Sequence, residues 1–181
     1  MKDQFFRLLC LLLLFCFCSC NKNKLQNKSD QLPPATQTGA NTFGCLVNGQ
    51  VYIPKGFSGT GTPNPRTTFE FFNGNNIFSI NTYQYQNTNP VGFLSITFLN
   101  PVINLGIYDY PQKMNFSVGW SKVINSCFTP AFDTTVQKWG TAVITRFDNT
   151  NKVVSGNFNF KFKTTDCDTV FVTDGRFDFK F

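Results

Sequence analysis

Acidic side chains are the first candidates for chemistry in this chain of 181 residues, because it contains no histidine. The missing histidine excludes Ser-His-Asp and Cys-His catalysis within the chain, and it excludes His-based zinc sites. Asp166 and Asp168 flank Cys167, and Asp174 and Asp178 follow shortly afterwards. Paired carboxylates can hydrolyse glycosides or bind calcium. Strand alternation places Asp178 among outward-facing charges, however, and no calcium-loop spacing is present. We therefore expect solvated turn carboxylates, with no catalytic residue, no metal site and no cofactor.

Tyrosine and tryptophan side chains are the second group of candidates, because their rings stack on flat ligands while their polar atoms suit half-wet positions. Tyr83 and Tyr85 share one face of a predicted strand, since residues two apart on a strand point the same way. Trp120 and Trp139 are the only tryptophans. We take these four residues as candidate ligand-binding residues for a sugar ring or another flat ligand. The alternative for each ring is a place in the core, as expected for most of the 19 phenylalanines that follow Cys20.

The first twenty residues predict an export signal. A short head with two basic residues and one acidic residue precedes ten apolar residues at positions 8–17. Ten residues rise only about 15 Å as a helix, which is half of a hydrocarbon core of about 30 Å. The run is therefore typical of a signal-peptide core and is too short for a membrane-spanning helix. We assign residues 1–19 to a signal peptide.

The end of this signal, Phe17-Cys18-Ser19-Cys20, resembles a bacterial lipobox, with an apolar residue at −3 and a small residue at −1 before a cysteine. The resemblance implies that Cys20 receives a thioether-linked diacylglycerol and becomes the mature N-terminus of a lipoprotein. Several acyl chains on one cysteine anchor stably, since each buried methylene contributes about 0.8 kcal/mol. We expect a membrane anchor in the bacterial cell envelope, in the outer membrane, with the leaflet left open. The alternative is an ordinary signal peptide and a free secreted protein.

Residues 20–44 predict a flexible tether behind the anchor. The segment is rich in Asn, Gln, Lys, Thr and Pro, and it offers little apolar surface to offset the entropy of ordering. Three of the chain's six net positive charges lie ahead of Cys45, one in the head and two in the tether. No dense Lys/Arg patch remains in the rest of the chain, so we predict no nucleic-acid binding.

Residues 45–181 predict a single all-β domain, because their apolar residues recur with period two. Phe158, Phe160 and Phe162 alternate with polar residues, which is typical of a strand with one buried face. We expect about nine or ten strands joined by hairpins, as an antiparallel β-sandwich or a barrel-like sheet, with the sandwich favoured. Asp174-Gly175 predicts a tight turn or a bulge. Predicted strands are 46–52, 67–72, 77–85, 93–99, 105–110, 115–120, 136–146, 157–163, 170–173 and 176–181.

Three cysteines, Cys45, Cys127 and Cys167, remain in this domain after removal of the signal and acylation of Cys20. Cys127 and Cys167 both lie in loop-like sequence, and we predict that they form a disulfide in the oxidising envelope. Closing a loop of about 40 residues would stabilise the protein by roughly 4 kcal/mol in the chain-entropy model. The alternative is three buried free thiols.

Both ends of the domain resemble one family. The segment LPPATQTGANTFGCLVNG at 32–49 resembles the opening of a lipoprotein family of Bacteroidota-type bacteria, a domain of unknown function. The segments at 144–148, 154–158 and 172–178 (VTDGRFD) resemble the end of the same family. The resemblance implies a lipoprotein with an all-β fold, and it implies no activity. It also leaves the orientation open, because Asn and Lys follow Cys20 where some surface lipoproteins of such bacteria carry acidic residues.

Three functions fit these observations. The first is a membrane-anchored, non-catalytic β domain that binds a glycan, a protein or another envelope ligand. The second is an Asp-dependent envelope hydrolase, which requires two carboxylates about 5–9.5 Å apart in a cleft. The third is an accessory or structural subunit of an outer-membrane complex, which predicts an exposed strand edge or a large apolar patch. We favour the first.

Overall fold

The computed structural model describes residues 28–57, 61–86, 89–100, 103–120, 128–129, 135–164 and 167–181. Within them lie eleven β-strands, numbered in chain order, and one 3-10 helix, Lys28–Gln31. The strands are β1 (Thr42–Val47), β2 (Gln50–Tyr52), β3 (Arg66–Phe72), β4 (Asn75–Gln86), β5 (Asn89–Asn100), β6 (Gly106–Asp109), β7 (Met114–Trp120), β8 (Phe128–Thr129), β9 (Gln137–Asp148), β10 (Val153–Thr164) and β11 (Cys167–Lys180). The all-β prediction is confirmed.

The strands form two antiparallel sheets. The six-stranded sheet has the order β2-β1-β11-β10-β9-β6, and the five-stranded sheet has the order β3-β4-β5-β7-β8. Buried residues from both sheets form one core, so the fold is a sandwich rather than a barrel. The long consecutive strands pair with each other as hairpins, in the series β3-β4-β5 and β9-β10-β11.

Aromatic contacts hold the two sheets together. Phe116 of the five-stranded sheet stacks on Phe160 of the six-stranded sheet, with ring centroids 4.3 Å apart and planes 6° apart. The hydroxyls of Tyr52 and Thr82 also meet across the core at 2.9 Å, and Thr82 donates to the Leu94 carbonyl oxygen. These two buried hydroxyls are therefore paired, and burial of the large rings provides the main stabilisation of the fold.

The predicted strand 46–52 is wrong, because the chain reverses within it. Asn48 and Gly49 have φ angles of +47° and +71° and form a two-residue turn between β1 and β2. Asn-Gly is favoured in such turns because both central residues need positive φ. The turn is attached to β11, since Asn48 Oδ1 accepts from the Phe171 backbone N–H at 2.8 Å.

The predicted strands 170–173 and 176–181 are one strand, β11. Asp174 has a φ of +53°, and the β10–β11 register shifts between Phe158 and Phe160, so the Asp174-Gly175 pair forms a bulge within a continuous strand. The split of 46–52, this fusion and the short β8 together account for eleven strands where nine or ten were expected. The bulge itself was predicted as one of two alternatives.

The tether prediction is wrong for residues 28–44, which belong to the folded domain. Residues 32–41, here called the strap, lie across the outer face of the six-stranded sheet. Leu32 is only 7% exposed, and Pro33 lies directly on Gly44, where a Cβ would come within 2.7 Å of the proline ring. Further along, the Gln37 side chain donates to the Thr145 hydroxyl on β9. Composition alone predicts a tether here, but the strap needs no core of its own because it packs on the six-stranded sheet.

Asp178 holds the strap in place. Its side chain does point away from the core, as alternation predicted, but the strap covers it and it is 1% exposed rather than solvated. Burial would raise the pKa of Asp178, yet hydrogen bonds from side chains and backbone N–H groups outweigh burial and hold the pKa well below its usual range. Its donors, at 2.6–3.4 Å, are Thr36 Oγ1, Thr38 N and Oγ1, Gly39 N, Ala40 N and Ser155 Oγ.

Candidate ligand-binding site

The outer face of the five-stranded sheet has one aromatic end and a long polar stretch. Tyr83 on β4 lies opposite Phe93 on β5, with ring centroids 6.3 Å apart, and Tyr85 lies on the same face. The next two cross-strand rows carry short hydroxyl and amide side chains and one guanidinium. These rows are Arg66–Asn81–Ser95–Ser117 and Thr68–Ser79–Thr97–Asn115.

A cavity of about 410 Å³ lies at the aromatic end of this face. Its floor is the outer face of β4, and its wall is the loop that leads into β3. The rings of Tyr83 and Tyr85 lie side by side in it, with centroids 5.7 Å apart and planes inclined by 31°. The lining residues are Thr62, Pro63, Asn64, Arg66, Asn81, Tyr83 and Tyr85.

Asn64 fixes the cavity wall to the strand. Its Oδ1 accepts from the Tyr83 backbone N–H at 2.9 Å, and its Nδ2 donates to the Tyr83 carbonyl oxygen at 2.8 Å. The same Nδ2 donates to the Gly56 carbonyl oxygen at 3.0 Å, and Lys55 exchanges backbone hydrogen bonds with Tyr83 and Tyr85. β4 continues past the start of β3, so these bonds replace the missing strand partner. The two tyrosines are therefore held on a well-supported backbone.

The electrostatics of the cavity favour a ligand that is neutral or negatively charged. Among the described lining residues, Arg66 carries the only charge and none is a carboxylate. Desolvation, and to a smaller extent the neighbouring Tyr83, raises the pKa of the Tyr85 hydroxyl, which therefore stays a neutral donor near pH 7. The Ser95 hydroxyl donates to Asn81 Oδ1 at 2.9 Å and so orients that amide.

This arrangement is suited to recognition. Two rings offer flat apolar surface, while an amide, a guanidinium and hydroxyls offer directed hydrogen bonds. The volume lies within the range of small-ligand pockets, about 300–1,000 Å³. The lining offers no carboxylate pair and no histidine for general acid–base work.

The four aromatic candidates do not form one platform. Tyr83 and Tyr85 share a face, as predicted. Trp139 lies on the opposite side of the molecule, on the outer face of the six-stranded sheet, where the Lys161 ammonium lies 4.9 Å from its ring centre. It borders a second depression, of about 430 Å³, together with Phe171. The side chain of Trp120 lies outside the described residues.

Two carboxylates of the described residues, Asp178 and Asp148, each accept several hydrogen bonds within the fold. Asp178 accepts its hydrogen bonds mainly from the strap. Asp148 accepts from the backbone N–H groups of Thr150 and Asn151 at the β9–β10 turn. Hydrogen bonds from Asn151, and then from Arg146, hold the pKa of Asp148 well below its usual range, so it is ionised near pH 7. The part of the chain that the structure describes contains no group of three metal-ligating side chains. Asp166 lies outside it.

The cysteine predictions are tested only in part. Cys45 is a fully buried free thiol on β1, and burial raises its pKa, so it is a packing residue. Cys127 and the side chain of Cys167 lie outside the described residues, and their disulfide stays a prediction. Cys20 and the signal segment also lie outside them. Within the described residues, no helix has the length and apolar character needed to span a membrane.

Five of the seven lining residues were not predicted from the sequence, and Asn64, Arg66 and Asn81 are the most informative of them. The signal for Asn64 was present in Pro63-Asn64-Pro65, where an amide between two prolines indicates a structured loop. Arg66 and Asn81 had no such signal, because their proximity follows from the β3–β4 register.

No protein-family model, curated protein or solved structure matches the chain.

Proposed function

We propose that the chain is a lipid-anchored cell-envelope β domain that binds a glycan at the Tyr83–Tyr85 cavity without catalysing a reaction. The cavity with its two adjacent rings is the observation that carries the proposal. A sugar ring offers an apolar face for stacking and hydroxyls for the surrounding amide and guanidinium groups. Because Arg66 is the only charged residue in the part of the lining that the structure describes, the ligand class is a neutral or acidic saccharide.

A glycan fits the site better than a folded protein partner does. The cavity is concave and small, whereas stable protein–protein interfaces bury about 800 Å² on each partner. The polar rows beside it extend the site along the sheet with short side chains, which lose little entropy on binding. A chain of sugar units running from the tyrosines over these rows would meet hydroxyl and amide groups throughout.

The lipid anchor is supported by the sequence at positions 8–20 and by the family resemblance of the domain. Because residues 28–44 are folded, they limit how far the domain can lie from the anchor. The described fold begins at Lys28, eight residues beyond Cys20, and eight residues span at most about 28 Å when fully extended. An acylated Cys20 would therefore hold the folded domain closer to the membrane than a tether extending to residue 44 would allow.

Alanine substitution of the tyrosines tests the glycan proposal. We expect Tyr83→Ala and Tyr85→Ala each to weaken binding at least tenfold, equivalent to about 1.4 kcal/mol, because each removes a stacking surface. The measurement is calorimetric titration of the detergent-extracted full chain with hexasaccharides of glucose, mannose, xylose and N-acetylglucosamine, and with an oligogalacturonate.

Trp139→Ala is the matched control, because Trp139 is an exposed aromatic residue on the opposite sheet. It should leave the affinity within twofold of the wild-type value. The proposal fails if the wild-type chain binds none of these saccharides, or if Trp139→Ala weakens binding while the tyrosine variants do not.

Cys20→Ala tests the anchor. We expect this variant to lose metabolic labelling by a fatty-acid analogue and to leave the membrane fraction, because the acyl chains supply the membrane affinity. The readouts are labelling and cell fractionation in the native host. Cys45→Ala is the control, since its buried thiol is not the modified residue. Unchanged labelling of Cys20→Ala would disprove lipidation at this position.

A further inference from the structure

Among the described residues, no strand pairs with the outer edge of β3, and this edge carries exposed apolar side chains. β3 is the last strand of its sheet, and among the described residues only β4 pairs with it. Phe69, Phe71 and Phe72 are 40%, 72% and 63% exposed. Edge strands of this kind pair with other chains unless repelling charges, a proline or a bulge block them, and β3 contains no proline and no register shift.

The charges on β3 indicate which chain would pair with it. Arg66, Thr68 and Glu70 point to the outer face, and the two opposite charges lie symmetrically about Thr68. A second copy of β3 in antiparallel orientation, with Thr68 opposite Thr68, places each Arg66 opposite a Glu70. We propose that two copies of this chain dimerise through β3, about a two-fold axis that passes between the Thr68 residues.

The register follows from the side-chain pattern. Directly opposed residues share a face, so the alternatives differ by shifts of two residues. One alternative places Glu70 opposite Glu70, which is destabilising, and others place Arg66 opposite Thr68 or Phe72. Only the proposed register opposes Arg66 and Glu70 directly. The Arg66–Glu70 pair occurs twice in the dimer because a two-fold interface uses the same surface on both copies.

The same register also covers apolar surface. On the inner face, Phe69 of one copy becomes a diagonal neighbour of Phe69 of the other, within reach of aromatic side chains. Phe71, the most exposed of the large apolar side chains on β3, comes opposite Pro65. Backbone hydrogen bonds and these rings supply most of the affinity, while the exposed charge pairs set the register.

The dimer proposal does not rest on glycan binding, although Arg66 also lines the cavity, where Glu70 of the second copy would offset its charge. The two-fold axis places Glu70 of a second copy beside each Arg66. Pairing of the two β3 strands also joins the two sheets, so the two cavities lie on one continuous sheet face. The experiments below measure dimerisation with no saccharide present, so their failure would leave the proposed function standing.

Cysteine cross-linking in native membranes tests the dimer with the full chain. Thr68→Cys places two thiols directly opposite each other, and opposed residues of antiparallel strands have Cα atoms about 4.5–5.5 Å apart, within disulfide range. With a copper–phenanthroline oxidant, we expect at least five times more dimer on a non-reducing gel than for Thr97→Cys. Thr97 is the matched control, because it lies on the same sheet face but on the central strand β5. Equal cross-linking of the two variants would overturn the proposal.

Charge reversal tests the register. Adding Glu70→Arg to Thr68→Cys opposes like charges and should reduce cross-linking at least fivefold, and adding Arg66→Glu as well should restore it. Lys163→Glu, a charge reversal on the other sheet, should change nothing. The proposal is overturned if Glu70→Arg leaves cross-linking unchanged, or if the double reversal does not restore it.

Discussion

Replacing Asp178 with alanine should destabilise the protein by about 4 kcal/mol and release the strap. The substitution removes the acceptor for six hydrogen bonds, several of them from backbone N–H groups of the strap. Hydrogen bonds to a charged acceptor each contribute about 1.5–3 kcal/mol, and a buried donor left without a partner costs about 1–3 kcal/mol. The total loss of stability is smaller than the sum of these contributions, because a strap that has lost its acceptor can detach, and water then solvates its N–H groups.

Urea unfolding of the full chain measures this effect, and limited proteolysis within residues 32–41 reports strap release. Asp109→Ala is the control, because Asp109 is exposed and accepts one hydrogen bond, from Thr141. It should cost less than about 1 kcal/mol. If Asp178→Ala costs no more than Asp109→Ala, the strap is not held in the way described.

The same carboxylate makes stability depend on acid pH. Because hydrogen bonds hold the folded-state pKa of Asp178 below the unfolded value of about 3.9, its contribution is present at neutral pH. It is lost as pH falls below about 4 toward the folded-state pKa. Asp178→Asn should therefore flatten the decline of unfolding free energy between about pH 5 and pH 2. Asp148 titrates in the same range, so it is left intact in both proteins compared.

Gly175→Ala should cost about 3 kcal/mol, because the β11 bulge brings this residue directly over Phe158. A Cβ at position 175 would collide with the Phe158 ring and lie 2.5 Å from its carbonyl oxygen. Neither can move freely, since Phe158 is buried and stacks on Phe43 at 5.2 Å and on Phe160 at 5.0 Å. Overpacking of a filled core costs about 1–3 kcal/mol, and here a backbone atom is also in the way.

Gly49→Ala is the comparison for this prediction. Gly49 has a φ of +71° and open space around it, so alanine there meets only the backbone cost of the left-handed region, about 1–2 kcal/mol. Thermal and urea unfolding of both variants separate the two causes. A Gly175→Ala variant that is no less stable than Gly49→Ala would show that Phe158 does not block position 175.

The strands could be predicted because each depends on a local pattern. The alternation around Phe158–Phe162 and the side chosen for Tyr83 and Tyr85 follow from the two-residue repeat of a strand. The Asn48-Gly49 turn was also readable, since that pair is a strong hairpin signal. The apolar residues on both sides of this pair nevertheless resemble one continuous strand, which is why the pattern predicts a single strand over 46–52.

The burial of Asp178 could not be predicted from its own surroundings. Alternation placed it correctly on the outer face. Whether that face is exposed to solvent depends on Thr38, 140 residues away, and on its neighbours in the strap. The composition of the cavity could not be predicted from local sequence either. Arg66, Asn81 and Tyr83 meet only because β3 and β4 pair in one register, and because Asn64 fixes the preceding loop.

Proton NMR of the aromatic side chains tests the glycan site most directly. The full chain in detergent micelles is titrated with the saccharide that binds most tightly in the calorimetric series. Saturable shifts of the Tyr83 and Tyr85 ring protons, with the Trp139 indole N–H unmoved, are the predicted result. Shifts centred on Trp139, or tyrosine signals that stay constant at saturating saccharide, would contradict a glycan site on the five-stranded sheet.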